Sequence, residues 1–140
     1  MARNVGLLIL RISIGTMLIH HGYEKTADIN NFADAFVRPI GIPFPILASY
    51  IAAYSEIYGS WLLIGGLFTR FAALSIVGTI GVAIYHAIVT AGFNIYLLEL
   101  LILYMGGAVC ILLLGGGDFA IDKLLQKFSI KFKKPHIPFT

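Results

Sequence analysis

LASYIAAYSEIYGSWLLIGG, residues 47–66, is long enough to cross a bilayer and carries a carboxylate, Glu56, near its middle. An acid at the centre of a membrane helix costs at least roughly 2.5–3.5 kcal/mol, so a partner or a function is expected beside it. Wound as a helix, the stretch puts Ser49, Ala52, Ala53, Glu56, Gly59, Ser60 and Leu63 on one face and Tyr50, Tyr54, Tyr58 and Trp61 on the other. Glu56 thus lies among small residues, the kind of surface that lets membrane helices approach closely. Two readings stay open for it, a structural ion pair inside a helix bundle or a direct part in chemistry.

The rest of the composition agrees with a membrane setting. Of the 140 residues 59% are hydrophobic and only 12% charged, outside the range of ordinary soluble domains. The single cysteine, Cys110, sits in an apolar run, which rules out a disulfide framework or a CxxC pair within the chain. A net charge of +3 could suggest nucleic acid, but five of the ten cationic residues follow Asp122, beside the last apolar stretch. That placement fits a membrane surface, and no nucleic-acid partner is read.

Working outward, the N-terminus is expected to form a retained first membrane helix, Val5 to Gly22, because Arg11 interrupts the apolar run and no cleavage pattern follows. Tyr23 to Pro43 mixes charges with Phe32, Phe36 and Val37 and reads as a short amphipathic segment at the surface. After the central stretch, a third helix is expected over Phe71 to Ala91 and a fourth over Ile95 to Leu114, closed by Gly115-Gly116-Gly117. Asp118 is a candidate N-cap for an interfacial helix through Phe128, followed by a basic tail, 129–140. The expected fold is therefore an all-α integral membrane four-helix bundle, residues 1–128, plus that tail. Arg3, Arg70 and the C-terminal lysines lie at one side of the bundle against Lys25 and Arg38 at the other, which predicts cytoplasmic termini.

Depth can then be counted along the helices. Arg11 lies about 16 Å from Gly22, and Glu56 a similar distance from Pro45, so an Arg11 to Glu56 ion pair is expected near the midplane. A second set, His20, His21, His86 and Glu99, lies nearer the outer surface on faces rich in small or polar residues. It suggests a cavity open toward the outer leaflet, with Tyr85, Tyr96 and Tyr104 as candidate lining. Facing imidazoles can hold haem iron or a chlorin magnesium, yet no fixed spacing selects either, and no metal set is assigned. A quinone fits better, since His and carboxylate groups in an apolar cavity can donate to its carbonyls and handle its protons.

Four stretches taken in order carry a family resemblance: Leu18-Ile19-His20-His21-Gly22-Tyr23-Glu24-Lys25, Ser55-Glu56-Ile57-Tyr58-Gly59 leading into Gly66-Leu67-Phe68-Thr69-Arg70-Phe71-Ala72-Ala73, Leu98-Glu99-Leu100, and Gly115-Gly116-Gly117-Asp118. Together they resemble the DoxX family of small four-helix membrane proteins, from Gly6 to about Leu125. The family histidine falls on His21, with His20 an addition. DoxX-like proteins include the membrane subunit of a thiosulfate:quinone oxidoreductase and members associated with redox stress. The resemblance implies a quinone-linked site among Arg11, His21, Lys25, Glu56, His86 and Glu99, in a prokaryotic-type inner or energy-converting membrane. It assigns no catalytic residue, and the lone Cys110 supplies no thiosulfate site.

Two functional expectations follow from the sequence. In one, the chain is a quinone-linked redox protein, with His21, Lys25, His86 and Glu99 as candidate ligands of the quinone. In the other, it is a non-catalytic subunit of a respiratory or photosynthetic membrane complex, packing against other subunits and holding lipid, quinone or pigment.

Overall fold

The structure is a computed structural model that describes residues 1–132, with side chains through 128. Its elements are α1 (Ala2–Ala27), the single turn α2 (Ile29–Phe32), a π turn (Ala33–Val37), a 3-10 turn (Arg38–Ile40), α3 (Pro45–Gly65), α4 (Thr69–Ala91), α5 (Ile95–Leu114) and α6 (Ile121–Phe132). Among the described residues there is no strand.

Local chemistry accounts for the helix ends. Pro45 opens α3, where its missing N–H goes unneeded. Gly66 closes it in the left-handed region at φ +70°, and Leu67 N–H reaches back to the Leu62 carbonyl at 3.0 Å. The Asn94 side chain caps α5 by accepting from Tyr96 N–H at 3.0 Å.

α1, α4 and α5 are each long and apolar enough to cross a membrane. α3 reaches that standard together with the segment before it, Ile29–Ile40, from which it turns by 108°. The result is a four-helix membrane bundle. α1 packs chiefly on α3, α3 on α4, and α4 on α5. The α1–α3 seam closes through small residues: a Cβ on Gly22 would stand 2.9 Å from the Ala53 carbonyl, and one on Gly15 would stand 3.0 Å from the Ser60 carbonyl. The apolar core joins Ile14 and Leu18 of α1, Leu63 of α3, Ile76 and Ile80 of α4, and Tyr104, Ala108 and Ile111 of α5. The outer faces of the same helices carry exposed Ile9, Met17, Trp61, Phe71, Leu103 and Leu113, a surface suited to acyl chains.

The two ends of the bundle differ. At one end the Ile29–Ile40 segment folds over the helices as a cap, burying Ala33 and Val37 against them. At the other lies α6, whose Leu124, Leu125 and Phe128 stay exposed, the apolar face an interfacial helix gives to lipid.

Several boundaries depart from the sequence reading: α1 starts at Ala2 and α4 at Thr69, earlier than the expected Val5 and Phe71, and three further departures change contacts. α1 runs five residues past Gly22, to Ala27, because nothing in Tyr23-Glu24-Lys25-Thr26-Ala27 breaks a helix. α6 starts at Ile121, so Asp118 does not cap it; its carboxylate instead accepts from the Asn4 side chain of α1. α6 also crosses the expected boundary at Phe128 and continues to Phe132, while 133–140 of the expected tail lie outside the described residues.

Candidate functional site

Glu56 faces α1 and is almost fully buried. Its partner is Lys25, from the last turns of α1, whose ammonium donates to Glu56 Oε1. The expected Arg11 to Glu56 pair does not form. The seam explains why: Gly22 of α1 lies level with Ala53 and Ile57, and Gly15 with Ser60 and Ile64. Glu56 is thereby level with the His21 to Lys25 turn, some ten residues or about 15 Å along α1 from Arg11.

Among the described residues the second carboxylate oxygen, Oε2, has no hydrogen-bond partner, and neither does the buried Ser60 hydroxyl one turn farther along the same face. On the cap side the Lys25 ammonium lies 5.4 Å from the centre of the Phe32 ring, a cation–π contact that ties the cap to the ion pair. A buried carboxylate with one oxygen held by an ammonium and the other free can accept a hydrogen bond from a ligand or take up and return a proton.

From this pair the side chains lead outward. His21 Nδ1 donates to Glu24 at 3.3 Å, and the His20 and His21 rings lie 4.0 Å apart. His86 of α4 turns to the cap, where its Nε2 donates to the Ala35 carbonyl at 3.2 Å and its ring rests 5.1 Å from that of Phe36. Glu99 is exposed on α5 and joins none of the ion pairs among the described residues. His86 and Glu99 are therefore not joined to each other by a hydrogen bond or ion pair among the described residues. Of the four candidate ligand residues, Lys25 and His21 gather within a turn of one another beside Glu56. His86 is held by the cap, and Glu99 stands apart.

Arg11 belongs to a different constellation, at the α6 end. Its guanidinium is completely buried and donates to the Phe119 carbonyl at 3.3 Å, while Nε and Nη1 have no partner among the described residues. Room for it exists only because residues 66 and 116 are glycines: a Cβ on Gly66 would overlap Nη1, and one on Gly116 would stand 2.9 Å from it. Beside it, Asp122 accepts from Phe68 N–H at 2.8 Å, Thr69 N–H at 2.9 Å and the Thr69 hydroxyl at 2.8 Å, capping α4 from another helix. Burial pushes the Asp122 carboxyl up, but the Thr69 and Phe68 hydrogen bonds and the Arg11 charge outweigh that and hold it below the ordinary carboxylate range. Sequence reasoning missed this lock. Its one visible signal was the run Gly115-Gly116-Gly117 shortly before Asp122, which let Arg11 from the far end of the sequence pack close to it.

Among the described residues, grooves open on the surface. One, of about 430 Å³, lies between α3 and α4 and is lined by Tyr50, Tyr54, Tyr58 and Ser75. The three tyrosines stack in a ladder, with ring centres 6.0 and 5.5 Å apart. Another lies at the α6 end beside the Asp122 lock, among Arg3, Thr69, Arg70 and Lys123.

Known proteins resemble the chain as follows. The DoxX family model matches residues 6–91, a span that includes Arg11, His21, Lys25, Glu56 and His86. An uncharacterized protein of Haemophilus influenzae is 33% identical over 130 residues, covering 88% of this chain and 85% of its own. The inner membrane protein YphA of Escherichia coli is 36% identical over 84 residues, 59% of each chain. No solved structure gives a significant match.

Proposed function

This chain belongs to the DoxX family of membrane proteins, and from that premise we propose that it is a quinone-linked redox protein in which the Lys25–Glu56 pair handles protons. The observation that carries the reading is the free Oε2 of a buried glutamate whose other oxygen is held by a lysine. Reducing a quinone to a quinol consumes two electrons and two protons, and its carbonyl oxygens call for donors as charge builds on them. The Lys25 ammonium is such a donor. Glu56, His21 and Glu24 offer acid and base groups from the interior to the surface along which protons can be replaced. The electrons come from a partner redox protein, since one cysteine cannot act as an intrachain dithiol.

The direct test is equilibrium binding of a short-chain ubiquinone or menaquinone analogue to the purified protein. Lys25→Met and Glu56→Gln should each weaken binding by about tenfold or more, the cost of one charge-assisted hydrogen bond, while Glu99→Gln leaves it unchanged. Indifference to the Lys25 and Glu56 changes would overturn the reading.

The tyrosine ladder favours a second reading, a packing subunit of a larger membrane complex. Tyr54, Tyr58 and Trp61 are exposed on the outer face of α3, level with the buried Glu56, where lipid tails offer their polar groups no partner. A neighbouring subunit would supply both partners and packing. Gentle extraction followed by native mass measurement separates the readings, because a subunit of this kind comes out with other chains attached.

For the membrane, we infer an inner or energy-converting one with both termini cytoplasmic. Arg3, Arg70, Lys123 and Lys127 gather toward the α6 end, whereas at the cap end Lys25 is paired with Glu56 and Arg38 with Asp34. The likeness to an inner membrane protein supports the same location.

A further inference from the structure

We propose that His20, His21 and Glu24, at the cap end of α1, form a binding site for a borderline divalent transition-metal ion of the Zn²⁺ or Cu²⁺ class. The helix brings the three together around the glutamate: His20 precedes Glu24 by four residues and His21 by three, the two spacings that set side chains beside each other on a helix surface. One ligand atom from each lies within 4.8 Å of the other two. His21 Nδ1 and Glu24 Oε2 are 3.3 Å apart, close to the separation of about 3.3–3.4 Å that two donors take on a tetrahedral ion with bonds of about 2.0–2.1 Å. His20 closes the remainder by a rotation of an exposed side chain, its ring already 4.0 Å from that of His21.

Charge favours the site as well. Lys25, the next residue after Glu24, would repel a cation, but its ammonium is turned inward onto Glu56 and neutralised there. Glu24 keeps its carboxylate exposed, with His21 as its partner, so a metal ion competes with one hydrogen bond to a histidine rather than with a lysine. Two imidazoles and one carboxylate suit Zn²⁺, Cu²⁺ or Ni²⁺ far better than Mg²⁺ or Ca²⁺, which prefer oxygen ligands throughout. The three protein ligands leave at least one coordination position for water or an exogenous ligand. The site shares His21 and Glu24 with the proton route proposed above, but metal binding needs neither a quinone nor a redox partner, so its test can succeed or fail independently of the quinone reading.

The test uses tag-free, full-length protein in detergent, titrated with Zn²⁺ against a chromophoric chelator, and with Cu²⁺ followed by electron paramagnetic resonance. The expected result is one site per chain, with nitrogen hyperfine structure from two imidazoles. His20→Ala and His21→Ala should each weaken binding by about tenfold or more, and Glu24→Gln by a smaller factor. His86→Ala and His136→Ala should bind as the parent does. Because all three ligands are at the surface, the variants retain the parent's helical circular dichroism, which checks that they fold. Binding that survives loss of both His20 and His21, or that falls equally in the His86 and His136 controls, would overturn the site. So would a preference for Mg²⁺ over Zn²⁺.

Discussion

Glu56 and Lys25 are each tolerable in the bundle only because of the other. Glu56→Ala leaves an ammonium beneath the cap with no counter-charge, and loss of one member of a buried pair costs about 3–5 kcal/mol. Removing both, as Lys25→Met with Glu56→Leu, replaces the pair with apolar packing and should recover most of that loss. Thermal unfolding in detergent across this double-mutant cycle measures the coupling, and equal destabilisation by single and double variants would refute it. Glycine gives a second contrast of the same kind. Gly66 and Gly41 both sit at φ of about +70°, but a Cβ on Gly66 would overlap the Arg11 guanidinium and Ala120, whereas one on Gly41 meets nothing within 4 Å. Gly41→Ala should therefore cost about 1 kcal/mol for backbone strain alone. Gly66→Ala adds overpacking of about 1–3 kcal/mol, and its unfolding midpoint should fall well below that of Gly41→Ala.

At the scale of elements, the α3–α4 turn and the start of α6 hold each other through Asp122. Its backbone N–H donates to the Gly66 carbonyl at 2.9 Å while its side chain caps α4. The folded state lowers the Asp122 pKa, so its contribution to stability is complete above the unfolded carboxylate value, about 3.9, and is lost as pH falls below that value through the folded one. Unfolding midpoints measured from pH 6 down to pH 2.5 should fall less in Asp122→Asn than in the parent; identical slopes would show that the carboxylate carries no linkage. The lock also marks where the sequence was legible and where it was not. The spans were readable because a long apolar run is a property of the run itself, and residues 95–114 come out with the bounds the hydropathy suggests. Pairing across helices depends on register, and the register is set by contacts such as Gly22 against Ala53, which no single stretch encodes. Counting depth from Gly22 failed because α1 goes on to Ala27, and that carried Arg11 away from Glu56 and brought Lys25 to it. The buried acid was visible in the sequence, but its partner was not.

At the scale of the whole molecule, the asymmetry of the two ends makes a prediction about orientation. Cations at the cap end are matched by acids, Lys25 by Glu56 and Arg38 by Asp34, whereas Arg3, Lys123 and Lys127 form no ion pair among the described residues. Arginines and lysines near span ends resist translocation, and Arg3, Arg70, Lys123 and Lys127 at the α6 end outnumber Lys25 and Arg38 at the cap, so the α6 end should stay in the cytoplasm and the cap should face out. Single-cysteine variants in a Cys110→Ser background read this directly. Phe93→Cys lies in the exposed α4–α5 turn at the cap end, and Lys123→Cys lies near the start of α6. A membrane-impermeant thiol reagent should label the first in intact cells and the second only after lysis. The opposite pattern would place His20, His21 and Glu24 on the cytoplasmic side, where strong chelators keep free Zn²⁺ scarce. The same labelling, repeated with and without added Zn²⁺ on an Ala27→Cys variant beside the cluster, links orientation to the metal. Because the new thiol can itself bind Zn²⁺, the readout is protection that disappears when His20 and His21 are both replaced by Ala; such protection, seen from outside the cell, puts the cap, the three ligands and the ion on one face of the membrane.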